Sequence, residues 1–358
     1  AAGDGSNFEI VYLDPDFDAP TEWKYSLGMT WEFGDGYVLT ADALMTRGND
    51  TAIYKHGDLD FTGEVNDFGN GYPVYDSARI PTFVLTNSSK GNESESLAFS
   101  LFKSFDAGLD IRFGYAWTDA KDVNPMTSSV AFSNYVNRAF YDPEEEVLST
   151  SNYNIEHRFT GVLNYTANWF NNAPTNFSLF YKVYSGKRFS YTLDGFNDGY
   201  SRYNTLMYVP TANDANVVYQ GVTEGEVLNA VKGIGTPGSH VEANSGQLPY
   251  TRGLDLRIAQ TIPLPKFNLS GGVAGRNLGI DTDSHKLVVY FDLLNVLNFI
   301  NEDKGHVYYQ GYATRGLLDS RGLDSEGRII ISGVDTRKGQ LDQYASRYRM
   351  QLGFTYKF

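Results

Sequence analysis

The twelve residues Arg347-Tyr348-Arg349-Met350-Gln351-Leu352-Gly353-Phe354-Thr355-Tyr356-Lys357-Phe358 alternate without a slip. Tyr348, Met350, Leu352, Phe354, Tyr356 and Phe358 fall on one face, and Arg347, Arg349, Gln351, Gly353, Thr355 and Lys357 on the other. A period of two is that of a strand, whose successive side chains point to opposite sides of the pleat. The length suits a tilted membrane crossing, which takes about 9–11 residues, apolar toward lipid and polar toward a lumen. A soluble sandwich edge can alternate in the same way, but bare aromatics on a terminal edge invite edge-to-edge pairing.

Composition agrees with a barrel. The 358 residues include 26 Tyr, 23 Phe, 36 Gly and no Cys, with a formal net charge of −14. No run approaches the 18 or more apolar residues of a helical span. A strand-built membrane protein hides its apolar face in alternation, so a negative mean hydropathy does not count against it. The missing cysteines remove disulfides and thiolate metal sites. The acidic balance argues against a nucleic-acid partner, which needs clustered Lys and Arg. Ala1-Ala2-Gly3-Asp4 has neither the basic start nor the apolar core of a signal peptide.

Eight further stretches alternate like the last. Trp23 to Phe33 and Tyr37 to Met45 flank the turn Gly34-Asp35-Gly36, and Leu97 to Phe105 and Leu109 to Trp117 flank Asp106-Ala107-Gly108. Phe159 to Trp169 and Phe177 to Val183 flank Asn171-Asn172-Ala173-Pro174; Leu254 to Ile262 and Leu287 to Leu293 follow. Between the pairs lie long polar connections: to about Glu93, about Lys121 to Asn154, about Leu193 to Tyr250, and about Phe299 to Ser346. Short turns alternating with long loops are the asymmetry of outer-membrane barrels, with turns on the periplasmic side and loops outside. The fold class expected is therefore all-β, a transmembrane antiparallel β-barrel.

Nine crossings are odd, whereas single-chain bacterial barrels have even strand numbers. We therefore expect residues 1–358 to be the C-terminal portion of a larger barrel. The alternative is an extra strand within Pro263–Ser284, a connection long for a periplasmic turn.

Tyr12-Leu13-Asp14-Pro15-Asp16-Phe17-Asp18-Ala19-Pro20-Thr21-Glu22-Trp23, with Ala52-Ile53-Tyr54, resembles the mid-barrel of Oar-like TonB-dependent receptors. Glu156-His157-Arg158-Phe159, Ser185-Gly186-Lys187-Arg188-Phe189-Ser190-Tyr191 and Thr251-Arg252-Gly253-Leu254-Asp255-Leu256-Arg257 follow in the same order. Phe291-Asp292-Leu293-Leu294-Asn295-Val296-Leu297-Asn298 resembles the penultimate-strand motif of such receptors. The resemblance implies a 22-stranded barrel in the bacterial cell outer membrane, of which this chain is about the last nine strands. It also implies a plug domain and a TonB box, neither of which this sequence contains, and transport of a bulky solute such as a peptide or glycan. Partners would be outer-membrane lipid and lipopolysaccharide, the plug, the TonB complex, the barrel-assembly machinery and surface proteins. A surface-binding or assembly component and a passive porin are the competing functions.

Within that reading the charges Asp110, Arg112, Arg158, Lys182, Asp255, Arg257, Asp292 and Arg349 face the lumen or plug, or simply a solvated wall. Tyr348, Leu352, Phe354, Tyr356 and Phe358 resemble the assembly signal, a stripe suited to strand addition. Phe196, Tyr200, Tyr203, Tyr208 and Tyr219, in the longest loop, offer a ligand-stacking surface or else pack that loop against its neighbours. No catalytic residue is expected. His56, His157, His240, His285 and His306 share no metal-ligand spacing, Ser185-Gly186-Lys187 lacks the remainder of a phosphate loop, and no Gly-x-Ser-x-Gly elbow occurs. Glu144-Glu145-Glu146 reads as solvated loop charge. Calcium is considered at Asp194, Asn197 and Asp198, and at Asp319, Asp324 and Glu326, though neither set completes a loop pattern. No cofactor is expected.

Overall fold

A computed structural model of the chain describes residues 9–57, 59–65, 72–77, 82–195, 204–264, 285–336 and 339–357. All nine expected crossings are strands: β1 (Thr21–Phe33), β2 (Tyr37–Asn49), β3 (Glu93–Phe105), β4 (Leu109–Asp122), β5 (His157–Ala167), β6 (Thr175–Tyr184), β7 (Thr251–Pro263), β8 (Lys286–Leu294) and β9 (Arg349–Lys357). They lie side by side in chain order, each antiparallel to the last. This is an all-β, up-and-down antiparallel wall with β1 and β9 at its two ends. The glycines of the expected turn Gly34-Asp35-Gly36 take φ of 54° and 85°, the left-handed region a tight hairpin requires. The Pro263–Ser284 connection falls almost wholly outside the described residues.

The register shows why the alternation is kept. Trp31, Leu39, Leu101, Phe113, Gly161, Tyr181 and Leu254 form one row across seven strands. The neighbouring row, Thr30, Thr40, Ser100, Gly114, Thr160, Lys182 and Gly253, points to the other side. On the apolar side Leu27, Leu352 and Phe354 are each three-quarters exposed, and Trp23 and Trp31 more than half. A soluble sandwich would bury one face of such a sheet against a second layer. Here large apolar side chains cover a face that no other described element covers, which suits contact with hydrocarbon. No helix among the described residues is long and apolar enough to cross a membrane.

The buried core lies in the loops. Leu193, Met207, Val209, Val227, Leu318, Ile329 and Ile331 are almost fully buried and pack together. Around them runs a five-stranded sheet made of Val217–Tyr219, Ile329–Val334, Thr314–Leu323, Arg188–Asp194 and Gly246–Gln247. Segments read from sequence as long polar connections therefore interlock into a folded cap. Two of its pairings are parallel and join distant segments, Ser190–Asp194 with Thr314–Asp319 and Val217–Tyr219 with Ile329–Ile331. The short helix Glu224–Ala230 begins with a capping box in which Thr223 and Glu226 satisfy each other's backbone N–H groups.

A smaller cluster, Phe83, Ala131, Tyr135 and Phe140, joins the cap to the earlier loops. Glu146 overturns the reading of Glu144-Glu145-Glu146 as merely solvated charge. It bonds Lys55 Nζ at 2.7 Å and accepts from the Ser88 hydroxyl and the Ser89 N–H. Burial pushes its carboxyl up, but these donors outweigh that and hold it at about 2.

Candidate functional site

The cap, the segment 137–152 and the C-terminal end of β4 enclose a cavity of about 630 Å³. Its apolar back is the cap core, through Leu206 and Val241, with Phe140 beside them. Lys121 and Asp122 reach it from β4, Arg188 from the first cap strand, and Glu145 and Glu242 from the two flanking segments. Such a volume lies within the range of about 300–1,000 Å³ typical of ligand sites, which combine apolar walls with a few placed polar groups.

Local structure fixes the basic side chains. Arg138 is 7% exposed; its guanidinium donates to the carbonyls of Glu145 and Pro143 and stacks over Phe140. Burial pushes its pKa down, and nearby Tyr135, Glu144 and Glu146 oppose that. Arg188 pairs with Glu156 at 2.7 Å. Asn244, in the left-handed region at φ 56°, donates from Nδ2 to the Thr150 carbonyl and ties the cap to the segment before β5. Among the described residues, three buried polar atoms on the lining have no protein partner: Arg138 Nε, Arg188 Nε and Asn152 Oδ1. Just behind the wall, His240 packs edge-on against Tyr72 and Tyr208 and at a tilt against Tyr141, and burial drops its pKa to about 4.

The sequence candidates divide. Phe196, Tyr200 and Tyr203 lie outside the described residues. Tyr208 is 3% exposed, donates its hydroxyl to Asp214 at 3.0 Å and belongs to the cap core. Tyr219 packs on that core, and burial, with Glu224 and Asp214 close by, pushes its phenol up to about 12. Both pack the loop, the alternative recognised from sequence. Of the calcium set, Asn197 and Asp198 are outside the described residues and Asp194 is exposed. Asp324 holds its own turn through Arg328 and the N–H groups of Glu326 and Arg328. Among the described residues no three His, Cys, Asp or Glu gather as a metal site.

All eight charges expected on the lumen side share one face. Asp110, Asn164, Ser178, Arg257, Asp292 and Gln351 form a polar row across six strands. Arg112 and Asp255 lie in the next row, Lys182 in the row of Thr160, and Arg158 and Arg349 farther out. Of the terminal stripe, Tyr348, Leu352, Phe354 and Tyr356 are exposed on the opposite face; Phe358 lies outside the described residues.

The cavity residues were missed in the sequence because each is a common loop residue and only long-range pairing gathers them. One signal was present. Glu156 and Arg188, in two separately noted segments, prove to be partners, and the His157 N–H donates to Ser185 Oγ.

No protein-family model matches the chain, and no curated protein matches it. Among solved structures it is similar to the outer membrane transporter YddB from Escherichia coli, with 11% identity and a TM-score of 0.42 over 96% of this chain. The chain spans about a third, 33%, of the length of that transporter.

Proposed function

We propose that this chain is the C-terminal wall of an Oar-like TonB-dependent receptor in the bacterial outer membrane, taking part in energised import or export of a bulky solute. The observation that carries the reading is the nine-strand wall itself: one uncovered apolar face, one charged face, and long loops folded together at one end. Lipid would solvate the apolar face. The charged face would line a lumen shared with a plug, and the cap would present the first recognition site outside the cell. Further strands, the plug and the TonB-coupling segment belong to the rest of such a receptor.

The sequence has no cysteine, so single cysteines test this directly in the full receptor. Probes at Leu27, Phe113 and Leu163 should be quenched by lipid-borne quenchers, and probes at Thr40, Arg112 and Thr160 by aqueous ones. Uptake or release of solute should stop when a protonophore collapses the inner-membrane gradient. Aqueous quenching on both faces would remove the membrane assignment; flux indifferent to protonophore would leave a passive pore.

A further inference from the structure

We propose that the 630 Å³ cavity binds a short cationic peptide, its main chain facing the polar wall and its basic side chains directed to Glu145 and Glu242. The inference rests on the receptor reading above and names the class of solute that the outer site selects.

Three observations converge. The first is unspent hydrogen-bonding capacity. Among described residues the lining includes two N–H donors, on Arg138 and Arg188, and one carbonyl acceptor, on Asn152, that are buried without partners. Buried polar groups are seldom left so. Small shifts of these side chains toward an occupant would supply a mixed set, and a peptide unit offers one acceptor and one donor to meet it. Arg138 is already more than nine-tenths buried and anchored by two carbonyls, so ligand contact would order little further.

The second is charge. Glu145 and Glu242 line the cavity, are exposed, and form no ion pair among the described residues. Of the basic groups nearby, Arg188 is ion-paired with Glu156, Lys121 lies 3.7 Å from Asp119, and Arg138 is buried and donates to two backbone carbonyls. The exposed charge on the wall that lacks an ion partner among the described residues is therefore negative, and the chain carries a formal −14 overall. Such a field gathers cations and repels anions.

The third separates peptide from glycan. A sugar face is recognised by stacking on an open aromatic ring. The aromatics of this wall are committed elsewhere. Phe140 is 4% exposed beneath Arg138 and beside Tyr135, and Tyr141 packs on His240 and Tyr72.

The test is calorimetric titration of the purified full receptor, without energy input, with tetralysine, tetra-alanine, tetraglutamate and maltotetraose. Tetralysine should bind at least tenfold more tightly than tetra-alanine, with tetraglutamate and maltotetraose weaker still. Glu145→Gln with Glu242→Gln should erase the tetralysine advantage while leaving the melting temperature unchanged, since both side chains are exposed. Ala243→Trp, which fills the cavity, should abolish peptide binding. Preference for maltotetraose, absence of peptide binding, or indifference to both sets of substitutions would overturn the proposal. Protonophore-sensitive flux of some other solute would then leave the transporter reading standing. Peptide binding without such flux would do the reverse.

Discussion

Arg257 on β7 and Asp292 on β8 meet through two parallel hydrogen bonds, Nε to Oδ1 at 2.6 Å and a terminal guanidinium nitrogen to Oδ2 at 2.7 Å. Two residues before Arg257, Asp255 accepts the backbone N–H of Asn295 at 2.8 Å, three residues after Asp292. The segments Thr251–Arg257 and Phe291–Asn298 are therefore two halves of one junction.

The Asp292 side chain is 10% exposed and that of Arg257 54%, so the two truncations should differ. Arg257→Ala strands a mostly buried carboxylate and should cost about 3 kcal/mol. Asp292→Ala leaves a guanidinium that water still reaches and should cost less. The double variant should be less damaging than the sum of the two, by about 1–3 kcal/mol. Urea unfolding of the protein in detergent measures all three; strict additivity would refute the coupling.

Asn295 sits at φ 55° and spends its side-chain amide on the carbonyls of Gly305 and Ser346. Gly305 has φ 67°, and a Cβ there would overlap Asn295 Oδ1. Gly305→Ala should therefore cost about 2 kcal/mol or more locally. Asn295→Ala should free the same segment. Limited proteolysis between residues 299 and 346 should become several-fold faster in both, with the rest of the wall unaffected.

His240 is held neutral by burial, with its pKa dropped to about 4 from 6.5. An unfolded histidine takes up a proton first as pH falls, so the stability contributed by the neutral ring is complete above about 6.5 and lost progressively toward 4. The whole effect is roughly 3 kcal/mol. Hydrogen exchange of the cap amides from pH 7 to 4.5 should show this loss, and His240→Phe should flatten it. Equal pH dependence in the variant would refute the assignment.

Glu146 titrates lower, from 4.5 unfolded to about 2 folded. Its contribution is complete above about 4.5 and lost as pH falls toward 2, below the His240 window. Glu146→Gln keeps the shape but removes the charge facing Lys55, and should cost about 1–3 kcal/mol at neutral pH. The readout is exchange protection at the Ser89 amide, which would lose its charged acceptor, whereas the Ser88 N–H donates to the Thr51 carbonyl and should keep its protection.

The wall was legible because each strand keeps one uncovered apolar face, which forces a strict period of two. Tyr348 to Tyr356 and Trp23 to Phe33 could be read without any partner in view. The cap was illegible for the opposite reason. Its strands pair with remote segments and bury polar side chains beside apolar ones: in Ser190-Tyr191-Thr192-Leu193 the buried residues are Ser190, Thr192 and Leu193, so the stretch carries no polar–apolar alternation. Tyr208 and Tyr219 then look like surface aromatics until the core that encloses them is seen. Glu146 was misread likewise, because Lys55 and Ser88 lie far away along the chain.

The parallel pairing of Ser190–Asp194 with Thr314–Asp319 sets an order of events in time. More than a hundred residues separate the two segments, and closing so long a loop in a free chain is slow and entropically unfavourable. Once β6 to β9 are side by side, the loops start from neighbouring anchors and most of that search has been done. The cap should thus be the last part to mature, and its completion would report that the strands beneath have found their places.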